Sequence, residues 1–327
     1  MEYVNASLTP LCSDNLNKFH GLMKFIREKD KEGEVLLLFR GEEQRNVKRR
    51  LFGVDSKFES GEMFQRAFYF GEKARHFSVD HSDGDRSALT DINDISDHTL
   101  EFIFERIANV INIPERRYHV LKNTSSKFRE YFLEPSNRRD FLERVNGAHT
   151  STDKLKVRDY YLYWLHTAGS PGIRLETHLV STSIEKRIAR YFSKVKKSTK
   201  DNFIFHYFIP KPFYLHAISP WLSDHHQLVV SDCGLPTYKS LGLYPNQKEV
   251  AVKGALFPHF ILGVELVAEK KFVVNSHAQH IHEYQYEEIS KSGFPIDQTD
   301  FAERIFNTGY IRWVQTDLNG NFNQTDV

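Results

Sequence analysis

The chain has 327 residues, enough for one large domain or two modest ones, with ordinary apolar (40%) and charged (27%) fractions for a globular protein. Its 44 basic and 43 acidic residues nearly cancel, which excludes a general polyanion binder, although Lys48-Arg49-Arg50, Arg116-Arg117, Arg138-Arg139 and Lys194-Val195-Lys196-Lys197 concentrate positive charge locally. Only Cys12 and Cys233 are present, so there is no disulfide framework, and the pattern fits a reducing compartment. No apolar run is long enough to span a bilayer and the first residues lack the design of a signal peptide, so a cytoplasmic protein without a membrane partner is expected. The many Phe and Tyr residues are expected mainly to pack.

In chain order, the first element is an amphipathic helix capped by Asp14, with Leu16, Phe19, Leu22, Met23 and Ile26 on one face. Val35 to Phe39 has buried-strand length and is closed by Arg40-Gly41. From about residue 45 to 165 the pattern is helical and charge-rich. Its clearest pieces are Leu100 to Ile111, stopped by Pro114, and Val157 to His166, broken at Gly169-Ser170-Pro171-Gly172. Strand and turn signals follow: Thr177 to Val180 leading into Ser181-Thr182-Ser183, then a helix from Ile184 to Phe192. Further strands are expected at Phe203–Ile209, Phe213–Ile218, Val250–Val252, Phe260–Val267 and Phe272–Val274. The expected class is α+β: one domain with a mostly antiparallel β core (about 34–44 plus 170–275), a helical N-terminal portion and a helical insertion over about 45–165. The polar tail after Asn307 is expected to be disordered.

Chemistry concentrates at Tyr244-Pro245-Asn246-Gln247-Lys248-Glu249, followed at once by Val250-Ala251-Val252. Residues two apart on a strand share a face, so Gln247 and Glu249 are expected to project together from the mouth of a strand. A fixed carboxylate there stabilises a developing positive charge, and a neighbouring amide holds the attacking group. Alone, each such motif is more often plain structure: a Ser/Thr triplet usually bonds its own backbone, and a Gln-x-Glu pair is usually an exposed edge.

Arg40, Ser181-Thr182-Ser183 and Gln247-x-Glu249, in this order and each at a strand end, resemble the R-S-E, or cholera-toxin-like, class of mono-ADP-ribosyltransferases. The resemblance covers about residues 34 to 275 and implies a mixed, mostly antiparallel core that consumes NAD as a substrate. It implies that Glu249 stabilises the oxocarbenium-like state and grips a ribose hydroxyl, and that Ser181 orients Glu249. On the NAD side stand Arg40, as a bidentate donor to the pyrophosphate, and Gly41, close to the nicotinamide amide, together with Thr182 and Ser183. Phe192 or Tyr191 either stacks on the nicotinamide ring or packs in the core. Tyr244 and Gln247 face the acceptor, though Tyr244 could equally pack in its turn.

Members of the class that modify arginine carry an acidic residue where this chain has Gln247, so an arginine acceptor is disfavoured. The Gln-x-Glu form is similar to branches that modify asparagine side chains of small GTPases or guanine bases of nucleic acid. A nucleobase in RNA or DNA is the first expectation, a protein Asn/Gln amide the second and water the third. Many proteins of this architecture are toxins, some in toxin–antitoxin or phage-defence systems, which implies an antitoxin or other protein partner for the helical portion. A module that keeps the fold but only recruits a partner is the rival from another class.

A second similarity, to FRG-type domains, is carried by Phe39-Arg40-Gly41 and by Leu165 to Pro171, after which the residues diverge. His225-His226 and His277-x-x-His280-x-His282 fit no familiar zinc spacing; the second is expected to be a polar surface strand, and no metal is expected. Neither a P-loop, a G-x-G-x-x-G fingerprint nor a G-x-S-x-G elbow is present.

Overall fold

The computed structural model describes residues 1–52, 60–72, 95–169, 173, 177, 179–193, 202–219, 224–238, 245–294, 314–316 and 322–324. Tyr244, Lys194 to Lys197 and most of the tail lie outside them. The chain is a mixed α/β protein whose strands pair mostly antiparallel. Its contacts group into two units, Met1–Val79 with Val180–His216 and Gly254–Val327, and Asp80–Leu179 with Ala217–Lys253.

The first unit holds β1 (Glu2–Val4), α1 (Ser13–Glu32), β2 (Val35–Glu43), α2 (Gln44–Phe52) and α3 (Ser60–Phe70). Also in it are β3 (Leu179–Ser183, from Val180 onward), α9 (Lys186–Phe192), β4 (Asn202–Pro210), β7 (Ile261–Leu266), β8 (Lys271–Val274) and α11 (Tyr286–Ser292). The strand order is β1-β8-β7-β4-β2-β3, antiparallel throughout except for β1 beside β8. Strand β4 is buried at every residue and pairs β2 from Val35↔Pro210 to Glu43↔Asn202, which makes it the centre of the unit.

Helix α1 buries Phe19, Leu22, Met23 and Ile26 as its spacing predicts. Its N-cap is Cys12 rather than Asp14. Asp14 lies inside the first turn, where it pairs with Lys18 at 2.6 Å and complements the helix dipole. Gly33 ends the helix at φ 70°, a left-handed cap that suits glycine.

Strand β2 does not close at Arg40-Gly41 but runs through both to Glu43. A glycine inside a strand marks a close approach of another backbone. Here that backbone is α9: a Cβ on Gly41 would overlap the Ala189 carbonyl oxygen and stand 2.9 Å from the Ser193 nitrogen. The Ser183 hydroxyl accepts from the Glu185 N–H at 3.1 Å and fixes the turn that starts α9. Behind it, His206 on β4 donates to Glu265 on β7 at 3.2 Å, and Lys186 of α9 pairs with the same oxygen. Burial works against the Glu265 carboxylate, but the hydrogen bonds from His206 and Lys186 outweigh it and bring it down to about 2.

The second unit holds α4 (Asp97–Asn112), α5 (Arg117–Asn123), α6 (Ser126–Leu133), α7 (Asn137–Asn146), α8 (Ser151–Ala168), β5 (Ala217–Ile218), α10 (Asp224–Asp232) and β6 (Glu249–Lys253). Helix α8 is buried on every side from Leu155 to Ala168, so its pattern carries no amphipathic period. Phe128, Phe132 and Phe141 enclose Tyr161, and Phe128 also packs on Trp164, so these aromatics are core, as the composition suggests. The tyrosine hydroxyls of α8 find partners: Tyr161 donates to the Pro236 carbonyl at 2.8 Å, and Tyr160 accepts from the Tyr238 N–H at 2.9 Å.

Several expectations differ in detail. The strand expected over Phe213–Ile218 is a 3-10 turn at Phe213–Leu215, with only Ala217–Ile218 extended. The His277–His280 stretch lies in a 3-10 turn, not a strand, because Asn275 accepts from the His277 N–H and starts a tight turn. Within the tail, Val314–Thr316 (β9) and Phe322–Gln324 (β10) pair antiparallel.

Two outcomes follow from the first unit's packing. Gly41→Ala is expected to cost about 1–3 kcal/mol by pushing α9 off β2, read as a lower urea midpoint; an unchanged midpoint would count against this contact. Glu265 has a depressed folded value, so its stabilisation is present above its ordinary 4.5 and is lost as pH falls towards about 2. Melting temperature followed from pH 4.5 down to 2 should therefore fall more steeply in the wild type than in Glu265→Gln.

A candidate active site at Glu249

Strand β6 begins at Glu249, and its alternation places Glu249, Ala251 and Lys253 on one face. On α8, Asp159, Tyr163 and His166 follow one another at helical spacing and share a face. The two faces meet at both ends. Lys253 pairs with Asp159 at one end; at the other, the Tyr163 hydroxyl donates to Glu249 Oε2 at 3.2 Å and His166 Nε2 lies 3.4 Å from Glu249 Oε1. The spans agree, since four strand steps cover about 13 Å and seven helix steps about 10 Å. Ala251, the small residue between, leaves room for the helix in the shared core.

The Glu249 side chain is about 10% exposed, and both its oxygens face donors. Burial, and then the adjacent carboxylate, push the Tyr163 phenol well above its ordinary value, so it stays protonated and donates. His166 Nδ1 lies 3.2 Å from Thr177 Oγ1. One neutral tautomer satisfies both contacts: the Thr177 hydroxyl donates to Nδ1, and Nε2–H donates to Glu249. Ser219 fixes the backbone at the same point, donating to the Glu249 carbonyl at 2.6 Å.

At the far end the charges are fully buried. Arg158 Nε donates to Asp159 Oδ1 at 2.9 Å, and Lys253 pairs with the other oxygen. Burial alone would raise the Asp159 carboxyl, but Arg158 and Lys253 outweigh it and hold it below the ordinary value, with buried His226 contributing.

Gln247 is not on the strand. Residues Pro245–Gln247 form a 3-10 turn, and Lys248 adopts φ 45°, a left-handed conformation uncommon outside glycine. The two-residue alternation therefore starts at Glu249 and does not carry Gln247 onto its face. Gln247 is half-buried at the turn leading into the site.

Arg40 and Ser181 come together in the first unit, but through the backbone: the guanidinium donates to the Ser181 carbonyl. It also pairs with Glu42, while its Nε lies 3.6 Å from Glu72. The close approach that Gly41 permits is to α9. Thr182 and Ser183 are buried in β3, with Ser183 engaged in the turn to α9. Tyr191 and Phe192 are 71% and 40% exposed, so the core alternative for them is not what the fold shows. Tyr191, two positions from Ala189, stands on the other side of α9 from this residue that the helix buries, and Phe192 stands at its edge.

Tyr163, His166, Asp159 and Lys253 were not singled out for this role by the motif. Their signal was nonetheless present: charged or polar residues at i, i+4 and i+7 of a helix, and two apart from Ala251 on a strand, inside otherwise apolar segments. Among the described residues no group of three His, Cys, Asp or Glu side chains stands where it could hold a metal, and no helix is long and apolar enough to cross a membrane. Comparisons with protein-family models, with curated proteins and with solved structures find no match for this chain.

The buried charges set an order of tolerance. Asp159→Asn leaves Arg158 and Lys253 as two facing buried cations and should cost at least about 3–5 kcal/mol. Lys253→Met keeps the Arg158–Asp159 contact and should cost less. Denaturant midpoints of the two variants check this, and the reverse order would refute the charge assignment.

Proposed function

We propose that the protein is an NAD-dependent mono-ADP-ribosyltransferase of ADP-ribosyltransferase-like architecture, acting as a toxin that transfers ADP-ribose to a nucleobase of RNA or DNA. The observation that carries the reading is the Glu249 carboxylate, fixed at the start of β6 by Tyr163 and His166. The nature of the reaction rests on the resemblance of the Arg40, Ser181 and Gln247-x-Glu249 motifs.

In the reaction the bond between the ribose C1′ and nicotinamide breaks, and its electron pair leaves with the nicotinamide nitrogen. An acceptor nitrogen gives its lone pair to C1′, and its proton passes to a base. Positive charge on the ribose peaks between the two events. A carboxylate already aimed and largely desolvated stabilises that charge most at its peak, because it does not reorganise as the charge appears. Gln247, donor and acceptor at once, sits at the turn before Glu249 and is assigned to the acceptor.

One observation favours a second reading, a non-catalytic module. The Arg40 donors are engaged with Glu42, the Ser181 carbonyl and, at longer range, Glu72, so a pyrophosphate would have to compete with carboxylates for them.

Labelled NAD incubated with the protein and a cell lysate, then split into protein and nucleic-acid fractions, separates the readings. Protease-resistant label in nucleic acid, reduced about 10²- to 10³-fold in Glu249→Gln, is the expected result. Label confined to protein transfers the assignment to an amide side chain. NAD left intact by wild type and Glu249→Gln alike leaves the non-catalytic module.

A further inference from the structure

Helix α9 exposes aromatic rings where a structural helix would bury them. Ala189 and Ser193 are buried against Gly41, which fixes the helix to β2. Exposed from the helix stand Arg187, Arg190 and Tyr191, at i, i+3 and i+4 and therefore neighbours on its surface, with Phe192 next in sequence. The rings of Tyr191 and Phe192 meet edge to face, at 5.7 Å and 81°. Phe192 thus props Tyr191 at its edge, and Phe192 is the only ring packed on Tyr191 among the described residues.

Helix α9 carries Lys186, Arg187 and Arg190 and no acidic residue. Lys186 is committed to Glu265. Arg187 pairs with Glu185 at the surface, an exposed pair of little energetic worth that a phosphate can replace. The Arg190 guanidinium makes no ion pair among the described residues.

We propose that the Arg187, Arg190, Tyr191 and Phe192 surface of α9 binds single-stranded nucleic acid, with an unpaired base stacked on Tyr191 and its flanking phosphates on the two arginines. An aromatic face accepts any base, and arginine fork donors suit phosphate oxygens. A duplex keeps its base faces stacked inside and cannot use the ring. Anchoring through Gly41 means the platform is in place before the ligand arrives, which lowers the ordering cost of binding. The inference deepens the acceptor side of the proposed function and rests on it for its biological sense, but the binding itself requires neither NAD nor Glu249.

The test is fluorescence anisotropy of the full chain, without NAD, against a labelled single strand of about 12 nucleotides. A duplex of the same sequence and an acidic peptide of similar charge serve as rival ligands. Single strands are expected to bind more tightly than either. Tyr191→Ala should weaken binding about 10-fold and Tyr191→Phe should retain it. Arg190→Gln should reduce the slope of log affinity against log salt by about 0.7. Because Tyr191 is exposed, the unfolding midpoint of Tyr191→Ala should match wild type, which removes misfolding as a cause. Glu249→Gln should bind as wild type does, and a wild type that binds the strand but transfers no ADP-ribose would sink the enzymatic reading alone. Equal binding of duplex, tighter binding of the acidic peptide, or undiminished binding by Tyr191→Ala would each overturn the proposal.

Discussion

The second unit is organised around one buried ion pair, Lys253 of β6 with Asp159 of α8. Removing two such charges from water costs several kcal/mol each, and mutual attraction offsets this only when both are held in good geometry with further hydrogen bonds. Arg158 supplies those bonds to Asp159. A slip of β6 by one residue would turn Lys253 away from Asp159 and leave both charges buried without each other. The same slip would turn Glu249 away from Tyr163 and His166. The pair is therefore weak evidence for stability and strong evidence for register, and register is what brings Glu249 to its donors.

In the first unit the constraint is steric. Strand β2 has one position, Gly41, at which a helix backbone can lie directly against the sheet. Arg40, its neighbour, cannot use the same space. Its guanidinium is held among Glu42, Glu72 and the Ser181 carbonyl. The motif that reads Arg-Gly in sequence is thus two devices in the fold, a docking notch for α9 and a partly buried cation on the strand that α9 covers. One consequence reaches the surface: a helix docked by its backbone through so small a residue spends little of its circumference on packing, which leaves Arg187, Arg190, Tyr191 and Phe192 outside.

Much of this was legible from residue patterns, and the exceptions have physical causes. Helix α1 and strands β2, β4, β7 and β8 were visible because one face, or the whole strand, is apolar. The length of β2 was not, since Arg40 and Gly41 look like a strand end until α9 and two carboxylates supply what they need. Strand β1, three residues long, is too short to carry a period. The pattern puts Gln247 and Glu249 together at the mouth of a strand, but the strand begins only at Glu249, after Lys248 at φ 45°. The donors to Glu249 lie more than eighty residues earlier in the chain. Helix α8 conceals them because it is buried all round, so the face that Asp159, Tyr163 and His166 share has no exposed face to contrast with.

In the proposed reaction, a carboxylate held by hydrogen bonds is not thereby spent. A cation on a neighbouring ribose needs no vacant lone pair, since the attraction is to the whole charge and grows as the surrounding dielectric falls. Tyr163 and His166 hold one carboxylate oxygen each and so fix the direction of the side chain. For the role proposed for Glu249, meeting charge that exists only briefly, direction held in advance is the more valuable property, because no time or energy then goes to turning the carboxylate once the bond has begun to break.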